Sequence, residues 1–355
     1  MKIVYDDIVY SLQKVGGVSV VWSHITSAPP FSVLHIWYDN AMDNVFADKK
    51  QGHVYQIVSS RFLKIKRYLN PIINSDVPFL FHSSYYRFCN NPNAINITTV
   101  HDFIYELYRN DLKSILHKLQ KKKAVLHSDG IICISESTKR DFQKIYPDYQ
   151  GEIRVIYNGY DTQMYYYEKA CKEKIILFVG GRARHKRFDY AVEIMRYLPY
   201  YKLIIVGGGK LTNYEKELLE KTIPNNYEKI EYIRNDELRK LYNKAFCLLY
   251  CSDYEGFGIP PIEAQACGCP VICQAKSSIP EVVADSAIFF DPNNIQKLIS
   301  EIELMNDNEY YQHLVDKGLA NAQRFSWEKC KKEVYQFYYD ILELKFTKEK
   351  MKYND

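Results

Sequence analysis

Residues 254–274 combine a glycine-rich turn, a pair of adjacent prolines, a helical pattern and an apolar run, and this segment restricts the fold more than any other. Pro260 and Pro261 suit the first turn of a helix, where a missing N–H costs nothing, and Gly268 suits the position after the last turn. The apolar run 270–274 then predicts a strand. The order of loop, helix, stop and strand is typical of a parallel α/β sheet.

Two acidic residues lie in this segment, Glu255 in the turn and Glu263 in the predicted helix. An anion resting on the amides of Phe257, Gly258 and Ile259 would meet donors without intrahelical partners and the positive end of the helix dipole. Both carboxylates could then reach hydroxyl groups nearby. The segment therefore suits a sugar phosphate, although the spacing of the two acids alone is more typical of a solvated helix face.

Short apolar runs alternate with helical patterns along the whole chain, which predicts two doubly wound parallel sheets of the α/β class. The 355 residues are enough for two domains. We expect them at 1–160 and 170–327, with a helix from 328 to about 344 and a frayed tail at 345–355. The first series of predicted strands is 2–4, 32–37, 54–57, 79–82, 95–100, 130–134 and 152–156. The second series is 175–179, 202–206, 230–232, 247–250, 271–274 and 287–290.

The segment that contains Glu255 and Glu263, together with several others along the chain, resembles the motifs of one family of enzymes. Glu255 and Glu263 match an E-x7-E signature, and Ser278 to Glu281 follow as an S-x-P-E segment that also reads as a capping box. The remaining matching segments are 16–17, 99–102, 155–161 and 178–188. Together they resemble retaining, nucleotide-sugar-dependent glycosyltransferases of family 4. The resemblance implies the GT-B fold, in which two Rossmann-like domains face a cleft.

The resemblance also implies what each domain does. The first would bind the acceptor, the second would bind the nucleotide sugar, and the terminal helix 328–355 would pack back on the first domain. Two small departures stand out: Cys251 occupies a position where proline is common, and Arg182 and Lys186 are only four residues apart.

Site residues follow from the matching positions. Arg182 and Lys186 would contact the donor diphosphate, Glu255 the sugar hydroxyls and Glu263 the nucleotide ribose, while His101 would contact the transferred sugar. Arginine can form a forked contact with phosphate oxygens, and lysine adds a point charge. The plainer alternatives are that the basic run 182–187 faces solvent and that His101 is a structural residue at the end of a strand.

Gly16 and Gly17 precede a helical pattern at 18–25. Without side chains, they would let the backbone approach the donor sugar and diphosphate. A tight turn between strand and helix would need glycines there as well. The neighbouring Asp102 is an N-cap candidate for a short helix at 103–108.

We expect no metal and no cofactor. Arg182 and Lys186 would neutralise the leaving diphosphate, and no D-x-D motif stands where it would hold a metal. The glycines at 207–209 lack dinucleotide-binding spacing. Cys267, Cys269 and Cys273 have no second cluster with which to bind zinc, and the nine cysteines are expected to be reduced.

The resemblance implies hexose transfer with retention, through a front-face substitution in which the departing phosphate oxygen accepts the acceptor's proton. Residues 5–17 look like those of bacterial surface-polysaccharide transferases, some of them mannosyltransferases. The donor would be a GDP- or UDP-linked sugar, and the acceptor a glycan or polyprenyl-linked glycan. Two alternatives are a nucleotide-sugar epimerase of GT-B fold and a non-catalytic sugar-nucleotide-binding pseudoenzyme. The net charge of +4 is too small and too dispersed to indicate nucleic-acid binding.

Residues 109–127 predict an amphipathic basic helix in the first domain. No apolar run reaches the length of a membrane span, and residues 1–9 read as a strand rather than a signal peptide, so we expect a cytoplasmic protein. The helix would either bury its apolar stripe in the core or dock on anionic lipid at the inner face of the membrane. Its basic residues are Lys113, Lys118, Lys121, Lys122 and Lys123, and its apolar residues are Leu112, Ile115, Leu116, Leu119, Val125 and Leu126.

Overall fold

The computed structural model describes residues 2–49 and 51–352, and the chain divides into two compact units. Unit 1 consists of Met1–Asn158 together with Trp327–Asp355, and unit 2 is Gly159–Ser326. All the strand pairs are parallel in both units. The predicted α/β class with two doubly wound sheets is therefore confirmed.

Unit 1 is built on a seven-stranded sheet with the order β3-β2-β1-β4-β5-β6-β7. The strand order reverses between β1 and β4, and ligands of such sheets bind at the carboxyl ends of the strands beside this reversal. The strands are β1 (Lys2–Asp6), β2 (Ser32–Tyr38), β3 (Val54–Val58), β4 (Phe79–Ser83), β5 (Ala94–Val100), β6 (Gly130–Cys133) and β7 (Glu152–Val155).

A parallel sheet of this kind needs helices on both of its faces, and unit 1 contains seven α-helices among its described residues. The apolar β4 run buries Phe79 and Phe81 together with Val4 and Ile36 in one cluster. The helices are α1 (Val9–Leu12), α2 (Gly17–Ile25), α3 (Leu63–Lys66), α4 (Ile104–Tyr108), α5 (Leu112–Leu126), α6 (Glu136–Ile145) and, at the end of the chain, α14 (Trp327–Lys352).

Helix α14 completes unit 1 although the whole of unit 2 separates it from the rest in sequence. The Tyr338 hydroxyl lies 2.6 Å from Nδ1 of His82, and the Tyr335 hydroxyl donates to the Ile25 carbonyl at 2.8 Å. Helix α14 runs to Lys352, so the expected fraying from residue 345 is wrong as far as 352. Residues 353–355 of that prediction lie outside the described part of the chain.

Unit 2 has a six-stranded sheet with the order β10-β9-β8-β11-β12-β13. Here the order reverses between β8 and β11. The strands are β8 (Glu173–Val179), β9 (Lys202–Val206), β10 (Tyr227–Ile230), β11 (Ala245–Tyr250), β12 (Val271–Gln274) and β13 (Ile288–Phe290). The helices are α7 (Phe188–Met195), α8 (Asn213–Thr222), α9 (Asn235–Lys244), α10 (Ile259–Ala266), α11 (Ile279–Val283), α12 (Ile295–Leu304) and α13 (Asn308–Ala322).

Two strand predictions are corrected by the register of the sheets. Strand β10 ends at Ile230 rather than beginning there, because Tyr227 pairs with Leu203 and Ile230 with Val206. Tyr232 and Ile233, which follow Ile230, lie in the loop before α9. At the start of the chain, the strand ends at Asp6 and the helix α1 begins at Val9, so residues 1–9 do not form one strand.

Candidate active site

The loops after β8 and β11 lie side by side at the carboxyl edge of the unit 2 sheet, at the point where its strand order reverses. The backbone N–H of Asp253 donates to the His185 carbonyl at 2.7 Å and joins the two loops. This edge therefore brings the basic segment 182–187 next to the acidic turn at 253–255, which are about 70 residues apart in sequence.

Lys186 and Glu255 form an ion pair at this edge, between Nζ and Oε1. The ammonium group of Lys186 also lies 5.6 Å from the centre of the Tyr250 ring. Burial acts to raise the pKa of Glu255, but the charge and hydrogen bond of Lys186, with further hydrogen bonds from Ser252 and Tyr250, leave that pKa below its ordinary value. A buried carboxylate is thus held ionised beside an ammonium group.

Arg182 has different partners from Lys186. Its Nε contacts Oε1 of Glu215 at 2.9 Å, and its two Nη atoms donate to the carbonyls of Gly207 and Lys210, each at 2.9 Å. Its side chain is only 3% exposed. The sequence predicts that both cations contact the donor, whereas in this structure Lys186 meets Glu255 and Arg182 holds the loop 207–210.

A second cation reaches the same loop. Lys229 donates from Nζ to the Gly207 carbonyl at 2.6 Å. Burial lowers the pKa of Lys229, and the charge of Arg182 lowers it further. Two cations, Arg182 and Lys229, and two acids, Glu215 and Glu231, therefore meet at this part of the edge. Lys210 in the loop itself leaves an excess of one positive charge.

Helix α10 begins in this site, and its start is fixed by Gly258. The φ angle of Gly258 is +106°, in a region that favours glycine, and a Cβ there would lie 2.9 Å from Cδ1 of Ile279. Pro260 and Pro261 occupy the first turn as predicted. The amides of Gly258 and Ile259 point out of this end of the helix without intrahelical partners.

Ser278 supports the turn before α10 and does not cap its own helix. Its hydroxyl donates to the carbonyls of Glu255 at 2.9 Å and Phe257 at 2.8 Å. Its backbone is helical and its side chain makes no capping bond, so the predicted capping box with Glu281 is wrong. The same residue instead fixes the conformation of the loop that carries Glu255.

Glu263 lies partly buried one turn into α10, beside the Tyr242 hydroxyl at 3.5 Å. Burial raises the pKa of Glu263 to about 7. A hydrogen bond from Tyr242 lowers it, the charge of Asp161 raises it, and a hydrogen bond from Tyr165 lowers it again. The carboxyl group is therefore close to half protonated near neutral pH, unlike Glu255.

Gly16 and Gly17 lie in unit 1, where Gly16 is the residue before α2. The φ angle of Gly16 is 176°, which any residue can adopt, so its backbone angle does not require glycine. A Cβ on Gly16 would lie 2.4 Å from Oε1 of Gln13, whereas the space beside Gly17 is open. Gly17 therefore leaves room for a ligand to approach the backbone.

His101 follows β5 at the carboxyl edge of the unit 1 sheet. Burial lowers the pKa of His101 to about 4, Asp102 raises it and Lys121 lowers it, so the imidazole is neutral at pH 7. Oδ1 of Asp102 accepts a hydrogen bond from the Ile104 N–H at 3.0 Å, although the cap position itself is Phe103. His101 therefore offers one donor and one acceptor rather than a charge.

Lys121 is a buried residue that the sequence places on the surface. It is fully buried, its Nζ donates to the Asp102 carbonyl, and it pairs with Oε2 of Glu106 at 3.1 Å. A basic run gives no sign that one of its lysines is internal.

The contact of Glu215 with Arg182 is also not predicted from the sequence. The spacing of Thr212 and Glu215 is that of a capping box, and the two residues do form that box.

The described residues contain no group of three or more His, Cys, Asp or Glu side chains that could hold a metal ion. Within the same part of the chain, no helix is both long enough and apolar enough to cross a bilayer.

Two family models match consecutive parts of this chain: glycosyl transferases group 1 over residues 162–321 and glycosyltransferase family 4 over residues 18–164. An uncharacterised glycosyltransferase of Methanocaldococcus jannaschii is 30% identical over 69% of this chain and 68% of its own length. The O-antigen chain mannosyltransferase B of Escherichia coli is 31% identical, and the matched region spans less than half of either protein, 46% of this chain and 45% of the relative.

The fold is also found among solved structures. A sucrose-phosphate synthase of Thermosynechococcus elongatus superposes with a TM-score of 0.72 over 97% of this chain and 100% of its own, at 17% identity. That likeness identifies the architecture as GT-B. From the two family models and the relative aligned over two thirds of both proteins, the chain belongs to the glycosyltransferases of group 1 and family 4.

Proposed function

We propose that the protein is a retaining, metal-independent hexosyltransferase that moves a sugar from a nucleoside diphosphate to a hydroxyl of a glycan or lipid-linked glycan. The observation that carries this proposal is the Lys186–Glu255 ion pair, placed beside the start of α10 at the strand-order reversal of unit 2. A cation, a carboxylate and a helix N-terminus at one edge suit a sugar joined to a diphosphate.

The charges of the reaction give each residue a role. Breaking the anomeric C–O bond leaves a positive sugar and a negative diphosphate, so fixed donors at the phosphate contribute most to the rate. Lys186 and the amides of Gly258 and Ile259 would supply these donors. Glu255 would accept hydrogen bonds from the sugar hydroxyls, and its ionised state supports that role.

Arg182 contributes positive potential in this proposal. Around the loop 207–210, Arg182, Lys229 and the loop residue Lys210 are three cations against the two acids Glu215 and Glu231. Glu263 would accept from the ribose. In unit 1, His101 would contact the transferred sugar, and Gly16 and Gly17 would leave space for it.

The new glycosidic bond forms on the face that the diphosphate leaves. The acceptor oxygen attacks the anomeric carbon, and its proton passes to the departing phosphate oxygen, so atoms and charge balance without an enzymatic nucleophile. Mannose is the first sugar to test, because the Escherichia coli relative is named an O-antigen chain mannosyltransferase.

A thermal-shift panel of GDP- and UDP-linked sugars tests the proposal, followed by hydrolysis and transfer assays with the best binder. We expect one nucleotide sugar to stabilise the protein and to be hydrolysed slowly. Conversion of the donor into a second nucleotide sugar, without hydrolysis or transfer, would favour a nucleotide-sugar epimerase. Binding of a nucleotide sugar without any turnover would favour a non-catalytic pseudoenzyme.

Metal independence has its own test. Activity should survive excess EDTA, because Lys186 and the α10 amides neutralise the diphosphate in this proposal. Complete loss of activity that Mg²⁺ or Mn²⁺ restores would contradict it. The same assay with the Lys186→Met variant should show a large loss of turnover with EDTA present or absent.

We also propose that α5 docks the protein on anionic lipid at the inner face of the membrane. Five of its six apolar stripe residues are exposed, and only Val125 is buried, so the alternative in which the stripe joins the core holds for Val125 alone. Leu112 is 81% exposed, and Lys122 and Lys123 lie on the same helix face as the leucines.

A second exposed apolar segment lies next to α5. Nε2 of Gln120 donates to the Arg67 carbonyl at 2.5 Å, which fixes α5 beside the segment 62–72. That segment exposes Phe62, Ile65, Leu69 and Ile72, the last by 88%. Apolar side chains rimmed by lysines are typical of surfaces that enter the headgroup region of anionic bilayers.

Co-sedimentation with vesicles containing anionic lipid tests the docking proposal. A Leu112→Ser/Leu116→Ser/Leu119→Ser variant and a Lys113→Glu/Lys122→Glu/Lys123→Glu variant should both lose binding. Lys121 is left unchanged because it is buried. Leu304→Ser, an exposed leucine of unit 2, is the control and should bind like the wild type. Equal binding by all four proteins would remove the proposal.

A further inference from the structure

Unit 1 contains a cavity of about 300 Å³ at the carboxyl edge of its sheet. Its walls come from the segments that follow β1, β4 and β5 and from α5, so it lies where the strand order reverses. Its polar lining includes Gln13, Arg67, Asp102 and His117, and His101 lies in the same wall. The cavity is therefore placed where sheets of this class bind ligands.

Three nitrogen atoms of this lining are buried without a hydrogen-bond partner: Nε2 of Gln13, Nε of Arg67 and Nδ1 of His117. His117 is only 7% exposed. A buried polar atom without a partner costs on the order of 1–3 kcal/mol. The nitrogens of Gln13 and Arg67 are donors, and Nδ1 of His117 is a third donor in its Nδ1–H tautomer, so the cavity suits a ligand that supplies oxygen atoms.

The charge around the cavity favours an anion. Arg67 forms no ion pair with any of the described residues, and its Nη2 donates only to the Tyr85 hydroxyl. Burial, together with the charges of Lys121, Arg67 and Arg109, lowers the pKa of His117 to about 3. Three cations therefore surround a neutral imidazole.

Two acids also face this region, and neither neutralises Arg67. Glu106 pairs with Lys121 at 3.1 Å. Asp102 lines the cavity and accepts the Ile104 N–H through Oδ1. A carboxylate in that position can accept from a sugar hydroxyl while Arg67 remains open to an anion.

Aromatic rings hold His117 in place. It stacks on Tyr105 at 3.9 Å between ring centres and meets the edges of Tyr85 and Tyr86 at 5.9 Å and 5.2 Å. Its ring orientation is therefore fixed before any ligand arrives, which lowers the entropy cost of binding.

We propose that this cavity binds an acidic group of the acceptor, a carboxylate or a phosphate, through Arg67 and the amide of Gln13, with His117 donating from Nδ1 in its Nδ1–H tautomer. The assignment of the ligand to the acceptor rests on the proposed transferase function. A neutral glycan would leave the half-buried guanidinium without a counter-charge. The cavity would therefore select acceptors that carry an acidic sugar or a phosphate near the hydroxyl that reacts.

Calorimetric titration tests this with three probes: methyl glucuronoside, mannose 1-phosphate and the neutral methyl mannoside. The nucleoside diphosphate selected by the thermal-shift panel is present at saturation, so that the donor site is filled. We expect the wild type to bind at least one acidic probe about tenfold or more tightly than the neutral probe. Arg67→Gln should lose this preference, and Lys64→Gln, an exposed cation of α3, should keep it.

The outcomes separate the possibilities. Preference for the glucuronoside indicates an acidic sugar, and preference for the phosphate indicates a lipid-linked or free phosphate. Equal binding of all three probes by the wild type, or a preference that survives in Arg67→Gln, overturns the inference.

If Arg67→Gln does not fold, Arg67→Lys replaces it. This variant keeps the charge but lacks the forked guanidinium, and it should weaken the preference. Donor hydrolysis by the wild type tests the transferase function separately, so a protein that hydrolyses donor without acid preference overturns this inference alone.

Discussion

At the scale of single residues, Glu255 and Glu263 have the same chemistry but opposite environments. Lys186 holds Glu255 ionised, whereas burial raises the pKa of Glu263 to about 7 although Tyr242 and Tyr165 donate hydrogen bonds to it. The spacing of the two acids in sequence gives no indication of this difference. It arises because one carboxylate lies in a loop that reaches a cation from another strand and the other lies inside a helix without one.

Their different partners lead to a division of roles that mutants can check. Glu263→Ala should weaken binding of the nucleoside diphosphate, because it removes the acceptor for the ribose hydroxyl, a hydrogen bond worth about 1.5–3 kcal/mol when the carboxylate is ionised. Glu255→Ala should chiefly lower turnover, since its partners are the transferred sugar and Lys186. Calorimetry with the nucleoside diphosphate alone measures the first effect, and equal loss of affinity in both variants would contradict the division.

The raised pKa of Glu263 makes it a source of instability at high pH. Between the ordinary value of 4.5 and about 7, the folded state holds a proton that the unfolded state releases, so stability falls as the pH rises through this window. Glu263→Gln should therefore stabilise the protein by up to about 3 kcal/mol at pH 8 and by much less at pH 5. Urea unfolding at the two pH values measures this, with Glu217→Gln as an exposed control in unit 2. A gain that does not depend on pH would contradict it.

At the scale of elements, the segment 254–274 shows how much of the site could be predicted. Pro260, Pro261 and Gly268 place the start and end of α10 correctly, since their effects are local. The role of Ser278 could not be predicted, because its hydroxyl bonds to carbonyls more than twenty residues away. Lys121 and the exposed leucines of α5 show the same limit: the pattern predicts the helix, but it does not decide which face meets the sheet.

Arg182 links two loops, and its planar fork is what allows it to do so. Arg182→Lys should remove at least two of its bonds to Glu215, Gly207 and Lys210, at a cost of about 2 kcal/mol in stability. Hydrogen exchange should also increase in the loop 207–210. The control is Arg184→Lys, which changes an exposed arginine two residues away and should alter stability by less than about 0.5 kcal/mol. Equal effects of the two substitutions would show that the bonds of Arg182 to Glu215, Gly207 and Lys210 contribute little to stability.

At the scale of the whole molecule, the two units differ in the groups that take up protons between pH 7.5 and pH 5. Unit 1 buries three histidines with depressed pKa values: burial lowers the pKa of His82 to about 3, of His101 to about 4 and of His117 to about 3. In unit 2, the raised pKa of Glu263 acts in the other direction. One chain therefore contains a unit that acid weakens and a unit in which acid relieves a buried charge.

The sign for unit 1 follows from proton binding. Below pH 6.5 the unfolded histidines bind protons that the folded ones do not, so the stability that they contribute is present above pH 6.5 and is lost as the pH falls toward their folded pKa values. At pH 5 each of them costs about 2 kcal/mol. The raised pKa of Asp7 offsets part of this loss.

We expect hydrogen exchange at pH 5, corrected for its intrinsic pH dependence, to increase more in β4, β5 and α5 than in β8 and β11. His82→Gln, which cannot gain a charge, should reduce the effect in unit 1. Uniform protection of both units between pH 7.5 and pH 5 would mean that these histidines do not control acid stability.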